Sequence, residues 1–154
     1  MKKFLTLLLL STAASASIFA GTPINRNELP KAAQTFITKY FANDQVRKVE
    51  KDNGRRGMEY EVDFTSGAEV DFISDGNWKE VKAAKGTSVP AAIVPSAIAK
   101  YVETNFKGQS IVEISRKRGG YEVELSNGSE LKLTEDAKPM QPRQRGGKGR
   151  DQHR

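Results

Sequence analysis

Residues 60–72 read YEVDFTSGAEVDF, and 61 residues later the chain reads YEVELSNGSELKL at residues 121–133. The two stretches align without a gap, and self-similarity at a fixed offset is typical of a duplicated structural unit. Apolar and charged residues alternate on both sides of a central glycine, Gly67 in the first copy and Gly128 in the second. This pattern predicts one β-hairpin in each copy.

The alternation also predicts the register of the first hairpin. A two-residue turn would place apolar Phe64 opposite charged Glu69 and break the separation of the two faces. A three-residue loop, Thr65 to Gly67, with Gly67 in a left-handed conformation, restores that separation. The predicted inner pairs are Val62 with Val70 and Tyr60 with Phe72.

The same register predicts an acidic outer face in the first copy. Glu61 lies opposite Asp71, and Asp63 lies opposite Glu69. These four residues are candidates for binding a hard cation such as Ca²⁺ or a basic peptide, since both prefer carboxylate oxygens. The alternative is an ordinary solvated face on which Arg47, Lys48, Lys79 or Lys82 balances the charge. We expect the pKa values of carboxyl groups on such a face to shift little, and Lys132 to weaken the ladder in the second copy.

An amphipathic helix precedes each hairpin. Apolar residues recur at helical spacing after Pro30 and again after Pro95. The first stripe comprises Ala33, Phe36, Ile37, Tyr40 and Phe41, and the second comprises Ile98, Tyr101, Val102 and Phe106. The predicted strands are 46–49, 59–64, 69–73 and 78–81 in the first copy, and 111–115, 121–125 and 130–134 in the second.

These elements predict an α+β fold of two tandem repeats, each a helix followed by an antiparallel meander, with the helices on one face of the sheet or sheets. The repeats span residues 25–83 and 90–141. The first copy is four residues longer between the first two strands, which predicts a long hairpin tip from Lys51 to Gly57. The second copy has Ala137 where the first has a turn glycine, and Pro139 leaves its fourth strand open.

The N-terminus has the pattern of a secretory signal peptide. Two lysines precede a leucine-rich run and then small residues, so residues 1–20 are predicted to be removed after position 16 or 20. The apolar run is too short to span a bilayer, and the absence of cysteine excludes a lipoprotein anchor and disulfides. We therefore expect a periplasmic or secreted protein without a membrane span.

The net charge of +6 belongs to the ends of the chain. Residues 21–142 contain 18 Lys and Arg and 18 Asp and Glu, so the folded core is formally neutral and is not predicted to bind nucleic acid. Residues 142–154 are basic and have no apolar residue beyond a proline, which predicts a disordered tail with weak, salt-dependent contacts to anionic surfaces.

Sequence features of an enzyme are missing. The one histidine, His153, lies in the basic tail, and no nucleophile, base and orienting group can be assembled without a structured histidine or a well-placed lysine. No His and Cys cluster predicts a metal centre, and no glycine-rich loop predicts a cofactor. We predict no catalytic residues and no cofactor. Trp78, the one tryptophan, is either a binding anchor or a cap on the apolar face of the sheet.

The repeated pattern resembles the PepSY-like family, also described as beta-lactamase-inhibitor-like. The resemblance covers about residues 25–141 and is carried by Leu29, Pro30, Tyr60 to Phe64, Gly67, Glu69, Val70, Phe72, Asp75, Gly76 and Trp78. It implies an exported bacterial domain without established catalytic residues and suggests protein binding or the restraint of a protease. We predict that this chain engages a protein or peptide through its sheet face or hairpin tips, with restraint of a protease or other enzyme as one role. The alternative is a cation-binding or envelope stress-sensing module on the acidic face.

Overall fold

A computed structural model describes residues 21–54 and 57–140. Two helices, α1 (Lys31–Tyr40) and α2 (Ser96–Asn105), pack on one face of a single eight-stranded antiparallel sheet. The strands follow each other in chain order: β1 (Thr22–Pro23), β2 (Val46–Gly54), β3 (Gly57–Phe64), β4 (Glu69–Ile73), β5 (Trp78–Lys82), β6 (Ile111–Lys117), β7 (Gly120–Leu125) and β8 (Glu130–Thr134). The predicted signal peptide and basic tail lie outside the described residues.

The predicted fold class is confirmed, and the two repeats share one sheet. The first repeat supplies α1 and β2 to β5, and the second supplies α2 and β6 to β8. Strands β5 and β6 join the repeats through three residue pairs, from Glu80 with Ser115 to Lys82 with Glu113. The short strand β1, which the periodicity did not predict, extends the sheet beyond β2.

The repeated hairpin has the predicted register. Val62 pairs with Val70 and Tyr60 with Phe72, and Gly67 has a φ of 90° in the loop. The second copy repeats the arrangement, with Val123 opposite Leu131. The helical stripes meet this inner face: Phe36 contacts the ring of Phe72 edge-on at 5.5 Å between centroids, and Phe41 stacks on Phe64 at 4.6 Å.

The predicted long tip between Lys51 and Gly57 is wrong. Strand β2 continues to Gly54, which pairs with Gly57 at the start of β3. The additional residues lengthen both strands of the hairpin by two residues relative to β6 and β7. Continued backbone pairing satisfies the hydrogen-bonding groups that a longer loop would leave to solvent.

After β8 the chain makes the same turn as after β4, although it lacks the glycine. Ala137 has a φ of 58°, close to the 82° of Gly76, and its N–H donates to the carbonyl of Thr134 at 2.9 Å. The segment that follows forms a single bridge between Pro139 and Leu133. Within the described residues this bridge stands where the first repeat has a full fourth strand.

Candidate functional site

The outer face of the sheet, opposite the helices, is lined by two rows of charged side chains. In each row, every residue pairs directly with the next one on the neighbouring strand, from β2 to β8. The first row is Glu50, Glu61, Asp71, Glu80, Ser115, Glu122 and Lys132, and the second is Lys48, Asp63, Glu69, Lys82, Glu113, Glu124 and Glu130. We call these two rows the acidic face, because they hold ten carboxylates and three lysines.

All four candidate acids from the sequence lie together on this face. Glu61 pairs with Asp71 and Asp63 pairs with Glu69, as the hairpin register predicted. One carboxylate oxygen from each of Glu61, Glu69 and Asp71 lies within 4.8 Å of the others. The structure therefore gathers oxygen ligands at the centre of the first repeat.

Neighbouring side chains on the sheet bury these carboxylates more deeply than the sequence indicated. Glu61 and Asp63 are each only 8% exposed. Burial, followed by the charges of Glu69 and Asp63, raises the pKa of Glu61 to about 7. Burial, followed by the charge of Glu80, raises the pKa of Asp71 to about 7 as well. The expectation of ordinary pKa values is therefore wrong, because flanking strands remove water from groups that already repel one another.

Balancing cations reach one side of the candidate cluster. The Arg47 guanidinium donates to Asp63 at 2.9 Å, and the Lys48 ammonium lies 3.6 Å from the same carboxylate. Both side chains reach Asp63 because the β2–β3 register shifts at Arg47, where a bulge turns consecutive residues toward one face. Among the described residues, the one ion contact of Glu61 is with Lys48 at 3.9 Å. Lys79 pairs instead with Glu59 at 2.7 Å.

The acidic face extends into the second repeat, which the sequence reasoning did not include. Glu113 and Glu124 pair directly, and Glu130 lies opposite Glu124. Burial, followed by the charge of Glu80, raises the pKa of Glu113 to about 7. Lys132 weakens the ladder locally, as expected, since its ammonium lies 3.6 Å from Glu122. The alternating pattern of β6 and β7 could have placed these residues on the outer face. Their alignment with the carboxylates of the first repeat depends on the β5–β6 pairing, which that pattern does not predict.

Trp78 lies on the inner face and is the first residue of β5. It is 7% exposed, stacks on Tyr121 at 6.4 Å between ring centroids, and has the Arg116 guanidinium 4.2 Å from its ring centroid. A cavity of about 770 Å³ adjoins it and is also lined by Lys79 and Arg118. This position agrees with the interpretation of Trp78 as a cap on the apolar face of the sheet. Its role as a binding anchor stays a prediction.

No catalytic arrangement was predicted, and His153 lies outside the described residues. Neither helix in residues 21–54 and 57–140 has the length and apolar character that a membrane crossing requires. The chemistry available on the acidic face is the binding of positive charge by clustered carboxylates.

Three solved structures with similar folds come from Bacteroides species. A "putative periplasmic protein" of the DUF2874 family from Bacteroides vulgatus ATCC 8482 is 37% identical, with a TM-score of 0.75 over 80% of this chain and 97% of that one. A "putative calcium-regulated periplasmic protein" from Bacteroides thetaiotaomicron is 40% identical, with a TM-score of 0.73 over 79% and 94%. A third, of unknown function and from Bacteroides vulgatus ATCC 8482, is 32% identical, with a TM-score of 0.73 over 79% and 97%.

Comparison with the curated proteins gives no match. The family model described as "Putative beta-lactamase-inhibitor-like, PepSY-like" matches residues 20–62 and again residues 58–139. Two matches are consistent with a tandem arrangement, although they meet within β3, and together they cover residues 20–139. The chain belongs to the PepSY-like family.

Proposed function

We propose that this chain is an exported, non-enzymatic binding module of the bacterial periplasm, and that its acidic face holds a cationic segment of a partner protein or peptide. The supporting observation is the pair of rows on the sheet face opposite the helices, which together hold ten carboxylates and three lysines. Proteins with similar structures are described as periplasmic, and the family description favours the restraint of an enzyme as its purpose.

The arrangement of charge explains why a cationic partner would gain binding energy here. Four carboxylates, Glu50, Glu61, Asp71 and Glu80, lie side by side on neighbouring strands, and like charges directly across a strand pair destabilise the sheet. An incoming lysine or arginine relieves this repulsion in a partly buried setting, where an ion pair is screened less than at an open surface. Charge of this kind also speeds association and makes it sensitive to salt.

Fluorescence anisotropy with a labelled peptide of alternating lysine and threonine tests the proposal. We expect the double variant Glu61→Gln/Asp71→Asn to bind the peptide about tenfold more weakly at a pH above 7, where both groups are ionised. The matched control, Glu103→Gln/Glu135→Gln, removes two charges from exposed positions outside the two rows of the acidic face and should bind as the wild type does. Equal binding by both variants and the wild type, or no binding by the wild type, would overturn the proposal.

A periplasmic extract then provides the natural partner. We expect immobilised wild-type protein, and not the Glu61→Gln/Asp71→Asn variant, to retain a basic protein at low salt and to release it as the salt concentration rises. A captured protein that resists both the substitutions and the salt would bind elsewhere, for example at the hairpin tips.

Calcium binding is the second candidate, and the grouping of Glu61, Glu69 and Asp71 favours it. Oxygens that share one Ca²⁺ ion lie about 2.3–2.6 Å from it, so ligand oxygens within 4.8 Å of each other have a suitable spacing. A structural relative that is 40% identical is described as calcium-regulated. The stress-sensing alternative would use the same site.

Thermal unfolding separates the two candidates. Calcium binding predicts that millimolar CaCl₂, and not MgCl₂ at equal ionic strength, raises the melting temperature of the wild type and leaves Glu61→Gln/Asp71→Asn unchanged. Equal effects of the two salts would remove the calcium candidate without affecting the peptide proposal.

A further inference from the structure

The last described residues run along the edge of the acidic face. After the turn at Ala137, the chain reverses beside β8: the Thr134 N–H donates to the Lys138 carbonyl at 2.8 Å, and the Met140 N–H donates to the Lys132 carbonyl at 2.8 Å. Since this pairing is antiparallel, the chain at Met140 is directed toward the Glu130 end of β8. The described chain therefore ends beside Lys132 of the first row, on the side of β8 that leads to Glu130 of the second row.

The carboxylates near this point are only partly balanced: Glu130 has an ion pair with Lys132 at 3.3 Å, and Lys82 lies opposite Glu113 across the strands. Glu113 and Glu124 make no ion pair with any of residues 21–54 and 57–140. The bulge that brings Arg47 to Asp63 in the first repeat recurs in the second, but there it contains Val112. The second repeat thus leaves its part of the acidic row without the arginine that the first repeat supplies.

The segment that follows Met140 has the opposite charge. Residues 141–154 contain five basic residues and one acidic residue, Asp151. The basic residues are Arg143, Arg145, Lys148, Arg150 and Arg154. When extended at about 3.3 Å per residue this segment would reach about 46 Å, whereas eight strands about 4.8 Å apart span about 34 Å. It is long enough to cross the whole acidic face.

We propose that residues 141–154 dock on the acidic face of their own chain, beginning at Glu130, Glu124 and Glu113, and compete there with a cationic partner. This inference rests on the proposed function, because it describes how access to the same face is regulated. Linkage to the domain keeps the tail at an effective concentration on the order of 1 mM. A contact whose intrinsic dissociation constant is about 0.5 mM would then weaken partner binding about threefold.

The test uses full-length chains and the lysine–threonine reporter peptide. A tail variant replaces the five basic tail residues with glutamine, and we expect it to bind the reporter about threefold more tightly than the wild type at low salt, with the difference lost at high salt. The matched control removes five exposed positive charges from elsewhere and should bind as the wild type does. Its positions are Lys31, Lys39, Lys85, Lys100 and Lys107.

Amide chemical shifts provide a readout that does not need a partner. We expect the backbone amides of Glu113, Glu124 and Glu130 to differ between the wild type and the tail variant at low salt and to converge at high salt. Identical shifts in the two chains, or the same changes in the control, would overturn the docking of the tail. Tail-dependent shifts without any reporter binding would support the docking and would instead refute the proposed partner function.

Discussion

Replacing Glu61 by glutamine should stabilise the folded chain above neutral pH, although it removes a nearly buried side-chain charge. Burial and the neighbouring acids raise the pKa of Glu61 from 4.5 to about 7. Between these values the folded state binds a proton more tightly than the unfolded chain does, so the wild type loses stability as the pH rises through this window. Glutamine keeps the shape of the side chain and has no charge to lose.

The size of the effect follows from the same pKa values. A rise from 4.5 to about 7 corresponds to about 3 kcal/mol, and screening by solvent reduces this to about 1–2 kcal/mol. For a domain of this size, the melting temperature should rise by roughly 4–8 °C above pH 7. The difference should shrink as the pH falls and vanish near about pH 4, where the carboxyl group is protonated in both states.

Thermal unfolding followed by circular dichroism from acidic to alkaline pH measures this difference. The matched control is Glu103→Gln, on the exposed side of α2, which should change the melting temperature little at any pH. A melting temperature of Glu61→Gln that equals or falls below that of the wild type above pH 7 would refute the reasoning. So would a stabilisation that is independent of pH.

Three further substitutions test the packing and the turns, each by chemical denaturation. Gly76→Ala should lower the free energy of unfolding more than Gly128→Ala does. Both glycines have a φ of 82°, but only at Gly76 would an added methyl group lie 2.9 Å from the Ala33 nitrogen. Equal losses would contradict the close approach. Ile114→Val, in the fully buried core, should cost about 1 kcal/mol; a neutral effect would indicate a looser core. Ala137→Gly should not destabilise the chain, since glycine relieves the strain of a φ of 58°; a loss above about 1 kcal/mol would exclude that strain.

The inner half of the fold was predictable because local patterns determine it. Around Gly67 a three-residue loop keeps Val62 and Val70 on the same face, whereas a two-residue turn does not, so the sequence favours the observed register. The helical stripes likewise identify Ile37 and Ile98 as core residues, and both are at most 1% exposed. These predictions need only neighbours along the chain, and the repeat supplies a second example of each.

The properties of the outer face were less predictable because they depend on pairings between distant segments. The alternation places Glu61 on this face, but its 8% exposure results from side chains on β2 and β4 that flank it. Glu113 joins the same row only because β5 and β6 pair at the junction of the repeats. The turn at Ala137 was also missed, since a left-handed alanine has no sequence signal.

The two repeats differ in the basic side chains that balance the carboxylates of the acidic face. Each repeat has a bulge near the start of its first long strand, and the bulged residue is Arg47 in one and Val112 in the other. Arg47 makes an ion pair with Asp63 at 2.9 Å, whereas Glu124, the counterpart of Asp63, has no such cation among the described residues. The core residues of the two copies remain similar in kind. Packing restricts the inner face of each repeat, and the two copies differ more on the outer face, where the second repeat has Val112 in place of Arg47.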